Sequence, residues 1–134
     1  MKVVLDTNVF VSGVFFSGPP YQILRAWRDE KFDLIVSLDI LEEYRHVGEE
    51  LAAERPTINL EPALEFIIQH AEVVAAPPLL DQVCEDPDDD KFLACALASG
   101  SKLVVSGDKH LLKVSGYRSI EVLKPREFVT RYLE

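Results

Sequence analysis

The sequence alternates short apolar runs rich in β-branched residues with longer segments of helical period, and this alternation restricts the fold more than any other feature. The apolar runs lie at residues 2–5, 33–37, 72–75, 102–106 and 119–123. They lack the regular polar alternation of a half-exposed strand, as is typical of strands covered on both faces of a parallel sheet. The pattern therefore predicts a mostly parallel sheet of about five strands.

Six segments with apolar residues at helical spacing separate or follow these strands, at 7–16, 20–30, 39–53, 61–70, 88–99 and 125–133. Gly18 and Pro19 break the first two apart, Gly100 suits the end of the fifth, and Pro125 can begin the last. A chain of 134 residues with an apolar fraction of 48% has the size of one compact domain. We expect an α/β fold, a three-layer α/β/α sandwich, with residues 1–134 forming a single domain.

Composition argues against several classes of protein. No apolar run approaches the ~18 residues of a membrane span, and Asp6 interrupts the opening apolar run, where a signal peptide would continue. Cys84 and Cys95 have neither C-x-x-C spacing nor paired histidines nearby, so neither a disulfide framework nor a zinc site is indicated. The net charge of −9 opposes broad phosphate neutralisation, although divalent cations can reverse the sign of an acidic pocket locally. These features predict a cytoplasmic protein that does not enter a membrane.

Two acidic residues follow predicted strands. Asp6 comes directly after the first strand, and Asp108 comes just after the fourth. Ligands of open parallel sheets bind beyond the carboxyl ends of the strands. We therefore expect both carboxylates at one edge of the sheet.

A third carboxylate, Glu43, is predicted on the buried side of the third helix. It falls three residues after Ile40 and four before Val47, beside the apolar stripe. Its neighbour Glu42 has a structural explanation, because with Asp39 as the N-cap it would occupy the third helical position of a capping box. Glu43 has no such role.

The acidic run at 85–90 supplies the fourth candidate. Acids at a helix start are commonly caps and dipole partners, which explains Asp86, Asp88 and Asp89. Asp90 differs, because apolar residues follow it at helical spacing three, four and seven positions later. It is expected one turn into the helix on the inward face, where a carboxylate needs a partner.

Four carboxylates gathered in one place repel one another unless they share a cation. Oxygen ligands without histidine or cysteine select Mg²⁺ or Mn²⁺ over zinc. Such ions lower the pKa of bound water and neutralise charge on phosphate oxygens, so the set predicts metal-assisted phosphoryl transfer without a covalent nucleophile.

Four segments resemble the motifs of PIN-domain ribonucleases, particularly the toxin components of bacterial and archaeal toxin–antitoxin pairs. They are residues 4–9 (VLDTNV), 37–44 (SLDILEEY), 86–94 (DPDDDKFLA) and 105–108 (VSGD). The resemblance implies that Mg²⁺ or Mn²⁺ is bound by Asp6, Glu43, Asp90 and Asp108, with support from Thr7, Asn8 and Ser106. It also implies an RNA substrate, a homodimer and a cognate antitoxin whose tail covers the acidic pocket.

Other interpretations stay open. A catalytically degenerate PIN scaffold is opposed by the four intact acids, and an acidic-pocket signalling module such as a receiver domain would need paired acids after the first strand. A metal-dependent phosphatase with an aspartyl nucleophile would need Asp-x-Asp, but the second position here is Asn8. Lys91, Lys109 and His110 adjoin candidate ligands and could touch phosphate, although solvated surface roles are preferred. Trp27 is predicted to lie in the core or in a dimer interface.

Overall fold

The computed structural model describes residues 1–134 and contains one sheet of five parallel strands. The strands are β1 (Lys2–Leu5), β2 (Asp33–Val36), β3 (Glu72–Val73), β4 (Leu103–Val105) and β5 (Glu121–Leu123). Their order in the sheet is β3-β2-β1-β4-β5. The predicted five-stranded parallel sheet is confirmed, although every strand after the first is one or two residues shorter than expected.

Seven helices flank the sheet: α1 (Thr7–Phe15), α2 (Pro19–Arg28), α3 (Leu38–Glu54), α4 (Glu61–His70), α5 (Asp90–Ser99), α6 (Lys109–Leu112) and α7 (Pro125–Phe128). The chain moves along the sheet in one direction from β1 to β3 and returns to β4 and β5, so right-handed crossovers put α1 to α4 on one face and α5 and α6 on the other. This is the expected three-layer α/β/α sandwich. None of the helices combines the length and apolar character that crossing a membrane requires.

Some local predictions are wrong at the helix ends. The helix predicted at 88–99 begins two residues later, at Asp90, because Pro87–Asp89 forms a separate 3₁₀ turn. The helix predicted at 125–133 changes after Phe128 into a π-helical turn over Val129–Leu133, and α6 was not predicted.

The start of α3 also differs from the prediction. Ser37, rather than Asp39, is the N-cap, and its hydroxyl oxygen accepts a hydrogen bond of 3.3 Å from the Ile40 N–H. The N-cap therefore lies two residues earlier than expected, and Glu42 lies beyond the third helical position. The capping-box explanation of Glu42 is wrong.

The core fixes β1 at the centre of the molecule. All three apolar residues of β1 after Lys2 are fully buried, within one cluster of 32 buried residues. Tyr44 of α3 stacks on Phe10 of α1 and donates its hydroxyl hydrogen to the Leu5 carbonyl. Leu5, the last residue of β1, is thus fixed by its contact with Tyr44. Asp6 follows it directly, so the strand determines the position of Asp6. Trp27 lies in this core, one of the two locations predicted for it.

Candidate active site

Asp6 lies where β1 meets α1, and it is only 5% exposed. One carboxylate oxygen accepts a hydrogen bond of 3.0 Å from the Asn8 backbone N–H, and the other accepts one from the Ser106 hydroxyl. Burial raises the pKa of Asp6, these hydrogen bonds lower it, and the charges of Asp108 and Glu43 raise it again, for a net increase. The two hydrogen bonds therefore do not fully offset the cost of burying the charged form of Asp6.

Ser106 connects the two acids that follow β1 and β4. Its buried hydroxyl donates to Asp6 and accepts a hydrogen bond of 2.9 Å from the Asp108 backbone N–H. Asp108 in turn caps α6, accepting a hydrogen bond of 2.7 Å from the His110 N–H. Since β1 and β4 are neighbours in the sheet, their carboxyl ends bring Asp6 and Asp108 to the same edge, as the strand pattern predicted.

Glu43 joins this edge from α3. The Thr7 hydroxyl donates to one of its oxygens, and the Lys91 ammonium lies 2.8 Å from the other. Burial lowers the pKa of Lys91, but the hydrogen bonds and charges of Glu43 and Asp88 raise it, and the net change is an increase. Lys91 is only 18% exposed, so the solvated surface role preferred for it is wrong.

Asp90 does not present its carboxylate to this group. Its two oxygens accept hydrogen bonds of 3.0 Å and 2.7 Å from the backbone N–H groups of Val83 and Cys84, in the loop between β3 and α5. The prediction placed Asp90 one turn into the helix, but it is the first helical residue. The apolar stripe used to orient it included Leu97, which is 36% exposed and lies at the surface.

Asp89, predicted as a helix cap or dipole partner, lies in the acidic group. One of its carboxylate oxygens is buried and has no hydrogen-bond partner. Burial raises its pKa to about 6, and the charges of Asp108, Asp86, Asp6 and Glu43 add to the increase. The available signal was the proline at position 87, which begins the 3₁₀ turn, so that the helix begins two residues later than predicted.

The group fits a hydrated hard cation. No three histidine, cysteine, aspartate or glutamate side chains converge closely enough to hold an ion as they stand. Mg²⁺, however, keeps several of its own waters and needs only one or two direct carboxylates. The unpartnered buried oxygen of Asp89 and the raised pKa values of Asp6 and Asp89 are what acids show when a compensating cation is lacking.

A family model described as PIN domain matches residues 2–110, a span that includes β1 to β4 and every acid described above. The chain belongs to the PIN-domain family. PIN domains are generally nucleases that act on nucleic acid and use divalent metals. An uncharacterized protein of Methanocaldococcus jannaschii is 29% identical over 144 aligned positions, which cover 98% of this chain and 92% of that protein.

The surface of this PIN domain beside Glu43 is polar and mainly acidic. A depression of about 480 Å³ has no apolar residue in its lining, which consists of Asp39, Glu42, Glu43, His46, Asp88 and Lys91. Lys91 and Asp88 also line the neighbouring depression of about 340 Å³, which reaches Asp90. The protein itself supplies few positive charges here, and divalent cations can reverse the sign of such an acidic surface locally.

Of the three residues predicted to support the acids, two use their side chains and one uses its backbone. Thr7 and Ser106 are buried and bind carboxylates directly, whereas Asn8 contributes its backbone N–H and exposes its side chain. The Nδ1 of His110 lies 3.2 Å from the Glu85 carboxylate. Lys109 is exposed, in agreement with the surface role preferred for it.

Proposed function

We propose that this PIN domain is an endoribonuclease that hydrolyses RNA phosphodiester bonds with Mg²⁺ or Mn²⁺, and that it is the toxin of a toxin–antitoxin pair. The observation that carries the proposal is the buried, unpartnered carboxylate oxygen of Asp89, in a group with Asp6, Glu43 and Asp108. A protein that used Asp89 only for structure would pair this buried oxygen with one of its own donors.

Each residue has a role that its contacts support. Asp6, Glu43, Asp89 and Asp108 supply oxygens, and the hydroxyls of Thr7 and Ser106 orient two of these carboxylates. A bound cation would supply a water of lowered pKa and neutralise charge on the phosphate.

Lys91 and Asp90 have roles beside the four acids that are assigned to the cation. Lys91 compensates Glu43 while no cation is bound, and a cation entering the group competes with its ammonium for that carboxylate. Asp90 fixes the loop at Val83 and Cys84 next to the start of α5. The proposal therefore assigns to Asp89 the role of cation ligand that was predicted for Asp90.

The deciding experiment compares Asp89→Asn with Asp90→Asn in cleavage of a labelled RNA, with Mg²⁺, with Mn²⁺ and with excess chelator. Asp89→Asn and Asp6→Asn are expected to lower the cleavage rate by at least about 10²-fold, the usual cost of removing one group that stabilises a transition state. Asp90→Asn should lose far less activity, since an asparagine oxygen still accepts one loop N–H. Circular dichroism checks that each variant is folded.

Three outcomes would contradict parts of this assignment. An inactive Asp90→Asn beside an active Asp89→Asn would return the ligand role to Asp90. Cleavage that survives the chelator would remove the cation from the proposal. If the unaltered protein cleaves no RNA with either ion, the scaffold interpretation replaces the enzyme.

The proposal includes a cytoplasmic protein, a homodimer and an antitoxin with a basic tail. Cys84 and Cys95 are both buried free thiols whose pKa values burial raises to about 12, which suits a reducing compartment. The acidic lining beside Glu43 complements a basic peptide, which would compete with both cation and substrate. A lysine-rich and arginine-rich peptide should therefore inhibit cleavage, whereas an acidic peptide of equal length should not.

A further inference from the structure

A cavity of about 390 Å³ lies among helices α1, α2 and α4, and no acidic residue lines it. Its walls are mainly apolar, and Arg25 and Arg28 of α2 and Asn59 before α4 add two charged groups and an amide. We call it the α2 cavity. The depressions beside Glu43, in contrast, are lined by several acids each. In a chain with 23 acidic and 14 basic residues, a cavity without an acid indicates an anionic ligand.

The α2 cavity offers hydrogen-bond donors to such an anion. Neither Arg25 nor Arg28 forms a salt bridge within the chain, so both guanidinium groups are free to bind phosphate oxygens, for which their planar geometry is suited. The Asn59 side-chain oxygen already accepts a hydrogen bond of 3.1 Å from the Glu61 N–H, which leaves its amide N–H groups as donors. The cavity therefore presents donors and no carboxylate.

Aromatic side chains supply much of the apolar surface of the α2 cavity. Tyr21 is 41% exposed, and Trp27 and Phe66 pack edge to face with ring centres 5.2 Å apart. The Arg28 guanidinium lies 5.8 Å from the centre of the Phe66 ring. Tyr21, Arg25 and Arg28 follow one another at intervals of four and three residues, so one face of α2 carries an exposed ring and two cations. Single-stranded nucleic acid is bound by this combination, through base stacking and phosphate contacts.

We propose that the α2 cavity binds a nucleotide of single-stranded RNA, with its base on Tyr21 and the adjoining phosphates on Arg25 and Arg28. The site rests on the proposed function, in which RNA is the substrate, and adds where that RNA is held. Phe10 of α1 lines the cavity and lies four residues, or about 6 Å of helix, after Asp6, so the cavity begins close to the acids. The positive charge that is scarce beside Glu43 is thus supplied at a second place on the protein.

Binding of a labelled single-stranded RNA in excess chelator tests the site without requiring cleavage. Arg25→Gln and Arg28→Gln should each weaken binding severalfold and lower the slope of log affinity against log salt by about 0.7, the contribution of one phosphate contact. Tyr21→Ala should weaken binding about fivefold or more, as expected for the loss of one stacked base. Trp27 is the single tryptophan of the chain and lines the cavity, so quenching of its emission reports that RNA lies there.

Two substitutions outside the α2 cavity are matched controls. Lys102→Gln removes one charge at an exposed residue, and Tyr132→Ala removes a ring that is 39% exposed, close to the value for Tyr21. Both variants should bind RNA as the unaltered protein does. An oligonucleotide of the same length without bases should bind about fivefold or more weakly than RNA, and Tyr21→Ala should not change its affinity, because it has no base to stack.

Several results would overturn this site. They are unchanged RNA affinity in Arg25→Gln and Arg28→Gln, no RNA binding by the unaltered protein at low salt, and a base-free oligonucleotide that binds as well as RNA. Quenching of Trp27 by an acidic peptide and not by RNA would assign the cavity to a protein partner instead. RNA that is cut with Mg²⁺ but not held at the cavity refutes only this site, whereas RNA that is held there but never cut refutes only the proposed enzyme.

Discussion

Replacing Asp89 by asparagine is expected to stabilise the metal-free protein at neutral pH while it removes activity. The native fold raises the pKa of this carboxyl from 3.8 to about 6, so folding disfavours its charged form. The difference of about 2 pKa units corresponds to about 3 kcal/mol of unfolding free energy. Because Asp89 remains partly in contact with solvent, screening reduces the expected effect to about 1–2 kcal/mol.

The sign of the effect follows from the two pKa values of Asp89. Below 3.8 the carboxyl is protonated in both the folded and the unfolded chain, and it costs nothing. As pH rises from there to about 6, the unfolded chain releases the proton before the folded one does, so the stability of the unaltered protein falls. Above about 6 the full cost is present. The advantage of Asp89→Asn should therefore grow from near zero around pH 4 to its maximum above pH 6.

Urea unfolding in excess chelator, across this pH range, measures the difference. Asp29→Asn is the control, because Asp29 is exposed at the end of α2 and its substitution changes the net charge equally. A gain of 1–2 kcal/mol corresponds to roughly 4–8 °C in melting temperature for a chain of this size. The reasoning is refuted if Asp89→Asn is no more stable than the unaltered protein at pH 7.5, or if its advantage is the same at every pH.

Two further predictions concern packing and charge. Gly13→Ala should destabilise the fold by about 1–3 kcal/mol despite the better helix propensity of alanine, because the added Cβ would lie 2.8 Å from the Pro20 carbonyl oxygen. Thermal unfolding measures this loss, and the control Gly107→Ala, whose Cβ meets no atom within 4 Å, should melt at nearly the same temperature as the unaltered protein. Lys91→Gln should bind Mn²⁺ about three to ten times more tightly, since the cation no longer competes with an ammonium for Glu43; weaker binding by calorimetry would contradict this.

The sheet and two of its acids were predictable because they depend on patterns that tertiary structure does not change. Uninterrupted apolar runs occur where strands are covered on both faces, and the residue after such a run lies at the ligand-binding edge whatever the loops do. Asp6 and Asp108 were therefore placed by the strands alone. Glu43 followed from one helical stripe, which places it at this edge even though the N-cap of the helix was misplaced by two residues.

The choice between Asp89 and Asp90 could not be made from helical period. It depends on where the first turn of α5 begins, because the Pro87 turn leaves Asp89 outside the helix and makes Asp90 its first residue. The partners of Asp90 are two N–H groups of an irregular loop, which no sequence period describes. The contacts made by loops could therefore not be predicted from sequence patterns.

The central position of β1 has a consequence for how the protein is made. Residues 2–5 leave the ribosome well before their neighbour β4, which is complete only at residue 105. In a nascent chain that stops short of this point, one of the two edges of β1 has no hydrogen-bonded neighbour, and Asp108 is not yet present beside Asp6. The cutting activity proposed for this protein would thus arise only after residue 108 has been synthesised, and fragments that end before it would not cut the RNA around them.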